Sequence, residues 1–265
     1  MLPVLQHADH RPWPLPEVPW AWSQTWSDLA FAHYRVPRDE LRPLIPEGLR
    51  LQEFDGSPWV AVVPFQLGNV RRRGLPWLPV MPSFPELNLR TYVETDGKPG
   101  VWFFSLDAQS WPIVLGGRLR FHLPYHHARI DFFETSQGFA FHSTRLGGRV
   151  RFSGIFRATG DSFIADPGSF EHWATERYCL YTRNGRGEIV RAEVHHPPWP
   201  LQEATIEIQH NDLFTAAGLT PPKEPPRCHF STGVDVIAYP PTLLGALARA
   251  KDDLTAGELA PDPAR

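Results

Sequence analysis

This sequence predicts a mainly β fold, an antiparallel sheet that is closed or nearly closed, and three observations carry the prediction. Short alternating or apolar segments recur along the chain, separated by Asp55-Gly56, Asp96-Gly97, Gln137-Gly138, Gly147-Gly148 and Asn184-Gly185. Such dipeptides supply the positive φ angles of tight turns. Regular helices do not alternate with the strands, which argues against a parallel, doubly wound sheet. The length, 265 residues, suits a β-sandwich or barrel folding as one unit. We therefore expect a single domain over residues 1–265, with a Pro/Trp-rich N-terminal arm at 1–22 and a flexible tail at 251–265.

In chain order, Arg38 to Ile45 predicts a short helix, and Leu49–Phe54, Asp55-Gly56 and Trp59–Phe65 predict a hairpin. The run Glu86 to Val93 alternates strictly and continues through Tyr92–Glu94 and the Asp96-Gly97 turn into a strand at Val101–Leu106. Further strands are predicted at Leu115–Leu123, Ala128–Thr135, Phe139–Arg145, Arg149–Ala158, Arg177–Arg183, Ile189–His195 and Ala204–Gln209. Helices are predicted at Ser169–Glu176 and Asp212–Ala217, with Ser169 and Asp212 as N-caps, and at Leu243–Ala250. Proline lacks the ladder donor, so Arg11–Trp20, Leu75–Pro85, Pro197–Pro200 and Pro221–Pro226 read as loops, pinned by Trp13, Trp20, Trp22, Trp77 and Trp199.

Composition narrows the function classes. A net charge of −3 gives no electrostatic reason to expect nucleic acid or an anionic membrane as partner, and Arg71–Arg73 and Arg118/Arg120 read as solvated faces. Cys179 and Cys228 lack metal or redox spacing, so unpaired thiols in a reducing, cytoplasmic setting are expected. Met1 to Trp22 is broken by five prolines and shows no signal pattern, and no run of ~18 apolar residues exists to span a membrane. The partners left are a small-molecule ligand and a second copy of the chain.

The candidate site follows from the period of a strand. Side chains alternate across it, so Glu86, Asn88, Arg90 and Tyr92 share one face while Leu87, Leu89, Thr91 and Val93 share the other. An acid, an amide, a guanidinium and a phenol in register read as a lined pocket or as a satisfied buried network with a Glu86–Arg90 ion pair. In the functional reading Arg90 clamps a carboxylate and Glu86 is the candidate acid or base. Ser105 and Asp107 end the next strand and join the ligand-binding set, as do Arg118 and Tyr125. With Arg118, Arg120 and His122 on one strand face, an ion pair from Asp107 to Arg118 or Arg120 is also expected. Tyr125 and the Arg177-Tyr178 pair equally suit packing. No metal or cofactor is expected. The doublets His126-His127 and His195-His196 each offer one ligand to a given site, and a Gly-x-Ser-x-Gly elbow and nucleotide fingerprints are absent.

Several phrases in order carry a family resemblance: Leu29-Ala30-Phe31-Ala32-His33, Pro46-Glu47-Gly48-Leu49, Asp55-Gly56-Ser57-Pro58-Trp59, Pro64-Phe65 and the Glu86 to Val93 run. They continue with Gly100 to Ala108, Leu123-Pro124-Tyr125, Glu176-Arg177-Tyr178 and His196-Pro197-Pro198-Trp199-Pro200-Leu201. Together they resemble the YqjF-like family of uncharacterised bacterial proteins in the acetoacetate decarboxylase-like superfamily. The resemblance implies an acetoacetate decarboxylase-like β-barrel or cone with an internal cavity and a few short peripheral helices. Acetoacetate decarboxylases form a Schiff base on a cavity lysine whose pKa is lowered by a neighbouring cation and an apolar wall. This chain departs there: its lysines are Lys98 in a turn, Lys223 among prolines and Lys251 near the tail, all in segments expected to be exposed. The function expected is binding of a small anionic or oxygenated molecule without Schiff-base chemistry. The alternatives are acid/base catalysis on a carbonyl compound by Glu86 with Tyr92 or Asp107, and an interaction scaffold with exposed Trp and Pro loops.

Overall fold

The computed structural model describes residues 2–75 and 83–244. The expected tail at 251–265, Trp77, Lys251 and most of the predicted Leu243–Ala250 helix lie outside the described residues. Thirteen strands make one sheet: β1 (Trp22–Arg35), β2 (Arg50–Leu51), β3 (Trp59–Arg72), β4 (Phe84–Thr95), β5 (Lys98–Ala108), β6 (Tyr125–Thr135), β7 (Gly138–Arg145), β8 (Arg151–Ala158), β9 (Cys179–Arg183), β10 (Ile189–His195), β11 (Leu201–Asn211), β12 (Arg227–Ala238) and β13 (Thr242–Leu243). Four α-helices accompany them among the described residues: α1 (Arg38–Leu41), α2 (Trp111–Phe121), α3 (Phe170–Thr175) and α4 (Leu213–Ala216). Neighbouring strands run in the order β13-β10-β9-β5-β6-β7-β8-β11-β12-β1-β3-β4-β2, and extra β4–β5 and β10–β12 pairings turn the sheet back on itself. The fold is mainly β and mostly antiparallel, as expected.

Two central strands, β1 and β12, fall where the sequence predicts none. Each has an interrupted alternation. Asp28 in β1 takes φ 52°, and Gly233 in β12, opposite Ser27, takes φ 127° with room for no Cβ, since one would stand 2.2 Å from the Trp26 carbonyl oxygen. A matched irregularity of this kind bends the pair and hides the period-2 signal.

The predicted strand Leu115–Leu123 is instead the helix α2, preceded by Ser110 and carrying Pro112 in its first turn. It ends at His122, in the left-handed conformation with φ 55°. The topology requires it: β5 and β6 pair in parallel, with Leu106 opposite Tyr125, and a parallel return needs a crossover, for which helices are the usual solution. Asp55 and Gly56 form the expected turn, closed by Phe54 and Ser57, but β2 pairs with β4 rather than with β3. Ser169 caps α3 by accepting from the His172 N–H, whereas the residue accepting from Leu213 N at α4 is Asn211, because Asp212 is turned to the Arg151 N–H. Pro85 lies in β4, near its start.

The two faces of the central strands bury different cores. Leu29, Phe31, Val63, Phe65, Tyr92, Val101, Phe103, Leu106 and Val236 belong to the first, Ala30, Ala32, Val60, Val62, Leu87 and Leu89 to the second. The second core is completed by Ile130, Phe141, Phe152, Phe156 and Phe230. Cys179 and Cys228 are both free.

Candidate functional site

The first core is hollow, with a cavity of about 260 Å³. Alternation on β4 places Glu86, Asn88 and Arg90 in its wall, and Tyr92, next on the same face, is fully buried in the surrounding core. Beside them on the neighbouring strands stand Val63 and Phe65 of β3 and Val101, Phe103 and Leu106 of β5, with Leu29 of β1 beyond. Helix α2 closes one side, with Gly117 packed against Tyr125.

Glu86 and Tyr125 form one polar pole. The Tyr125 hydroxyl donates to Glu86 Oε2 at 3.0 Å, and both side chains are buried. Burial pushes the Glu86 carboxyl up to about 8, outweighing the Tyr125 hydrogen bond and the nearby Asn88 amide. At neutral pH Glu86 is therefore mostly uncharged. The expected Glu86–Arg90 ion pair does not form. Four residues of strand, ~13 Å of backbone, separate them, and Glu86 finds its partner on β6 instead.

Arg90 and Arg177 form the second pole. They are 9% and 6% exposed, and neither makes an ion pair with a carboxylate among the described residues. Arg177 Nη1 donates to Gln52 Oε1, and Gln52 Nε2 donates to Glu94 Oε2 at 2.6 Å, so the carboxylate nearest in this chain of bonds is one amide removed. The Arg177 guanidinium lies 4.7 Å from the Trp173 ring and 5.1 Å from Tyr92, and that of Arg90 lies 5.6 Å from Phe31. Aromatic faces of this kind partly replace the lost hydration of a cation. Arg90 Nε, Arg177 Nε and Nη2, and Asn88 Oδ1 remain buried without a hydrogen-bond partner. Burial lowers both arginines, Arg177 to about 10, which leaves them charged at pH 7. His33, fully buried behind them, has both ring nitrogens without a partner and is held neutral by burial and by Arg90.

Three sequence candidates lie elsewhere. A bulge sets Leu89 opposite Ser105 but Arg90 opposite Phe103, leaving Phe104 as the extra residue. Beyond it the faces of β5 exchange: Leu106 lines the cavity, and Ser105 and Asp107 point to the opposite side beside Leu89 and Leu87. Asp107 is bound by Arg145 Nε at 2.8 and 3.0 Å, not by Arg118 or Arg120. Arg118 is exposed on α2 and donates to the Tyr125 carbonyl at 2.7 Å, whereas Arg120, two residues on, borders the cavity. Arg177, weighed in the sequence as a packing residue, belongs to the site. Apart from Trp173, four residues earlier on α3, its partners are distant in sequence: Gln52, just past β2, and Tyr92 of β4.

Among the described residues no group of three or more His, Cys, Asp or Glu side chains is placed to hold a metal ion. No helix among them is long and apolar enough to cross a membrane. The tryptophans of the proline-rich arm and loop are not free surface: Trp13 donates to Glu193 at 2.8 Å and Trp199 to the Thr175 carbonyl at 3.0 Å.

A curved sheet around a cavity with buried polar groups is the fold of the acetoacetate decarboxylase-like proteins. The enduracididine biosynthesis enzyme MppR complexed with pyruvate superposes with a TM-score of 0.62 at 17% identity, covering 86% of this chain and 91% of that one. An acetoacetate decarboxylase matches with a TM-score of 0.60 at 16% identity, over 85% of this chain and 90% of the other. The enzyme from Legionella pneumophila matches with a TM-score of 0.60 at 14% identity, over 91% and 94%. At these identities the fold is what is shared. The sequence carries the family: residues 23–235 match DUF2071, described as an uncharacterized conserved protein, and the chain belongs to it. It is 40% identical over 227 residues to the uncharacterized protein YqjF of Bacillus subtilis (strain 168), covering 85% of this chain and 93% of that protein.

Proposed function

We propose that the protein binds a small anionic or oxygenated organic molecule in this cavity, without Schiff-base chemistry. The observation that carries the reading is the pair of buried arginines whose charges no carboxylate of the described chain neutralises, beside a carboxyl that burial keeps protonated. A buried cation without a partner costs several kcal/mol, and a bound anion offsets that cost. The fold relatives point the same way, since one is complexed with pyruvate and others are acetoacetate decarboxylases. Of the two described lysines, neither lines the cavity. Lys98, expected in an exposed turn, opens β5 half-buried and donates to Glu193 at 2.6 Å, while Lys223 is exposed. Incubation with acetoacetate and borohydride followed by intact-mass measurement should show no adduct. A stoichiometric adduct on a lysine would overturn the exclusion of imine chemistry.

A second reading, acid/base catalysis on a carbonyl compound, is favoured by Glu86 itself. A carboxyl with a pKa of about 8 facing a cavity is matched to proton transfer near neutral pH, with Tyr125 in the partner position assigned above to Tyr92 or Asp107. Turnover of a ligand recovered from the purified protein by native mass spectrometry, lost in Glu86→Gln, separates catalysis from binding.

A further inference from the structure

We infer that the ligand is a monocarboxylate with an apolar body, its carboxylate held between Arg90 and Arg177 and its hydrocarbon part lying against the aromatic wall. This rests on the proposed anion-binding reading and adds the chemical class. The head group follows from the orphaned donors. Arg90 Nε and Arg177 Nε and Nη2 are buried with no acceptor, and planar guanidinium forks match a carboxylate. Asn88, next along β4, holds a buried, unsatisfied carbonyl oxygen and so offers nothing to a second negative charge on that side. Protonated Glu86 removes the repulsion that an ionised acid in the same cavity would impose.

The body follows from the rest of the lining. Trp22, Trp26, Phe65, Phe103, Leu106 and Trp199 line the same cavity. These side chains present apolar surface that a three-carbon acid would leave uncovered. A volume of about 260 Å³ accommodates on the order of ten non-hydrogen atoms at ~30 Å³ each. The size is that of an eight-carbon acid rather than of pyruvate.

The test is calorimetric titration of the full-length protein with sodium acetate, pyruvate, butyrate, hexanoate and octanoate, and with octanamide and octyl phosphate. Affinity should rise about fourfold for each methylene added from butyrate to octanoate. Octanamide should bind at least about tenfold more weakly than octanoate, for want of charge-assisted hydrogen bonds. Arg90→Gln and Arg177→Gln should each weaken octanoate binding, and the octanamide comparison, made on the unmodified protein, stands whether or not those variants fold. Pyruvate or acetate binding as tightly as octanoate overturns the apolar body and leaves the anion reading standing. Octanamide equal to octanoate overturns the arginine head-group site, and octyl phosphate tighter than octanoate overturns the carboxylate. Absence of binding by every anion sinks this inference together with the reading beneath it.

Discussion

The two cores on either side of the central strands are built from the same chain by the same alternation, yet one is solid and the other hollow. In the solid core Phe132, Phe139, Phe141, Phe156 and Phe230 pack with ring centroids 5.4 to 6.2 Å apart, and the arginine on that side, Arg145, is paired with the Asp107 carboxylate at 2.8 Å. In the hollow one Leu29, Phe65, Phe103 and Leu106 line open space, and two arginines and an asparagine keep unmet hydrogen-bonding atoms. Packing that fills space stabilises the fold, while polar groups left incomplete in a cavity cost stability and are retained for what they hold.

The largest effect that could break this comparison is in the solid core. Phe156→Ala should cost about 3 to 5 kcal/mol in urea unfolding, because the stacked rings cannot collapse into the space, and should leave octanoate affinity unchanged. Leu106→Ala should cost only about 2 kcal/mol, since open volume already adjoins it. Equal costs at the two sites would mean that the cavity is not open in solution.

Next is Gly117→Val. A Cβ there would stand 2.4 Å from the Tyr125 ring, so Tyr125 must move, at about 1 to 3 kcal/mol. The movement should also break the Glu86 contact, seen as lost ligand binding in a protein that remains folded by circular dichroism. Full binding would show that Tyr125 has no part in the site.

The pH dependence of stability sharpens the comparison further. The folded-state pKa of Glu86 is raised from 4.5 to about 8, so the native state binds the extra proton and stability falls as pH rises towards 8. His33, His196 and His229 have folded-state values lowered by burial, so the unfolded chain binds their protons and stability falls as pH drops below 6.5. Asp107 is raised only to about 6, so above pH 7, once the unfolded histidines have lost most of their protons, Glu86 sets the slope. Stability should peak near pH 7 and decline above it, by less than the ~1.4 kcal/mol per unit that one whole proton would give. Glu86→Gln should flatten that alkaline limb and spare the acid limb; an unchanged alkaline limb in the variant would refute the assignment.

The smallest effect has an unusual sign. Arg90→Met removes a buried charge with no ion-pair partner, so thermal unfolding should show unchanged stability or a gain of about 1 kcal/mol, with loss of anion binding. A loss of 3 kcal/mol or more would mean that Arg90 is paired within the folded chain after all.

The amino-acid sequence by itself determined the features that depend on near neighbours. Alternation in Glu86 to Val93 separated the polar from the apolar face, Asp96-Gly97 set the β4–β5 hairpin, and Ser169 set the start of α3. Period-2 geometry, positive φ and capping are stereochemical properties of a few consecutive residues. Which face would enclose the cavity, the exchange of Ser105 and Asp107 to the other side, the helix in place of a strand at Leu115–Leu123, and the meeting of Arg177 with Arg90 were decided by tertiary structure. Each depends on a partner distant in sequence: a bulge exists only against its opposing strand, a crossover only between two parallel ones, and a pair of buried like charges only where separate strands close around the same space.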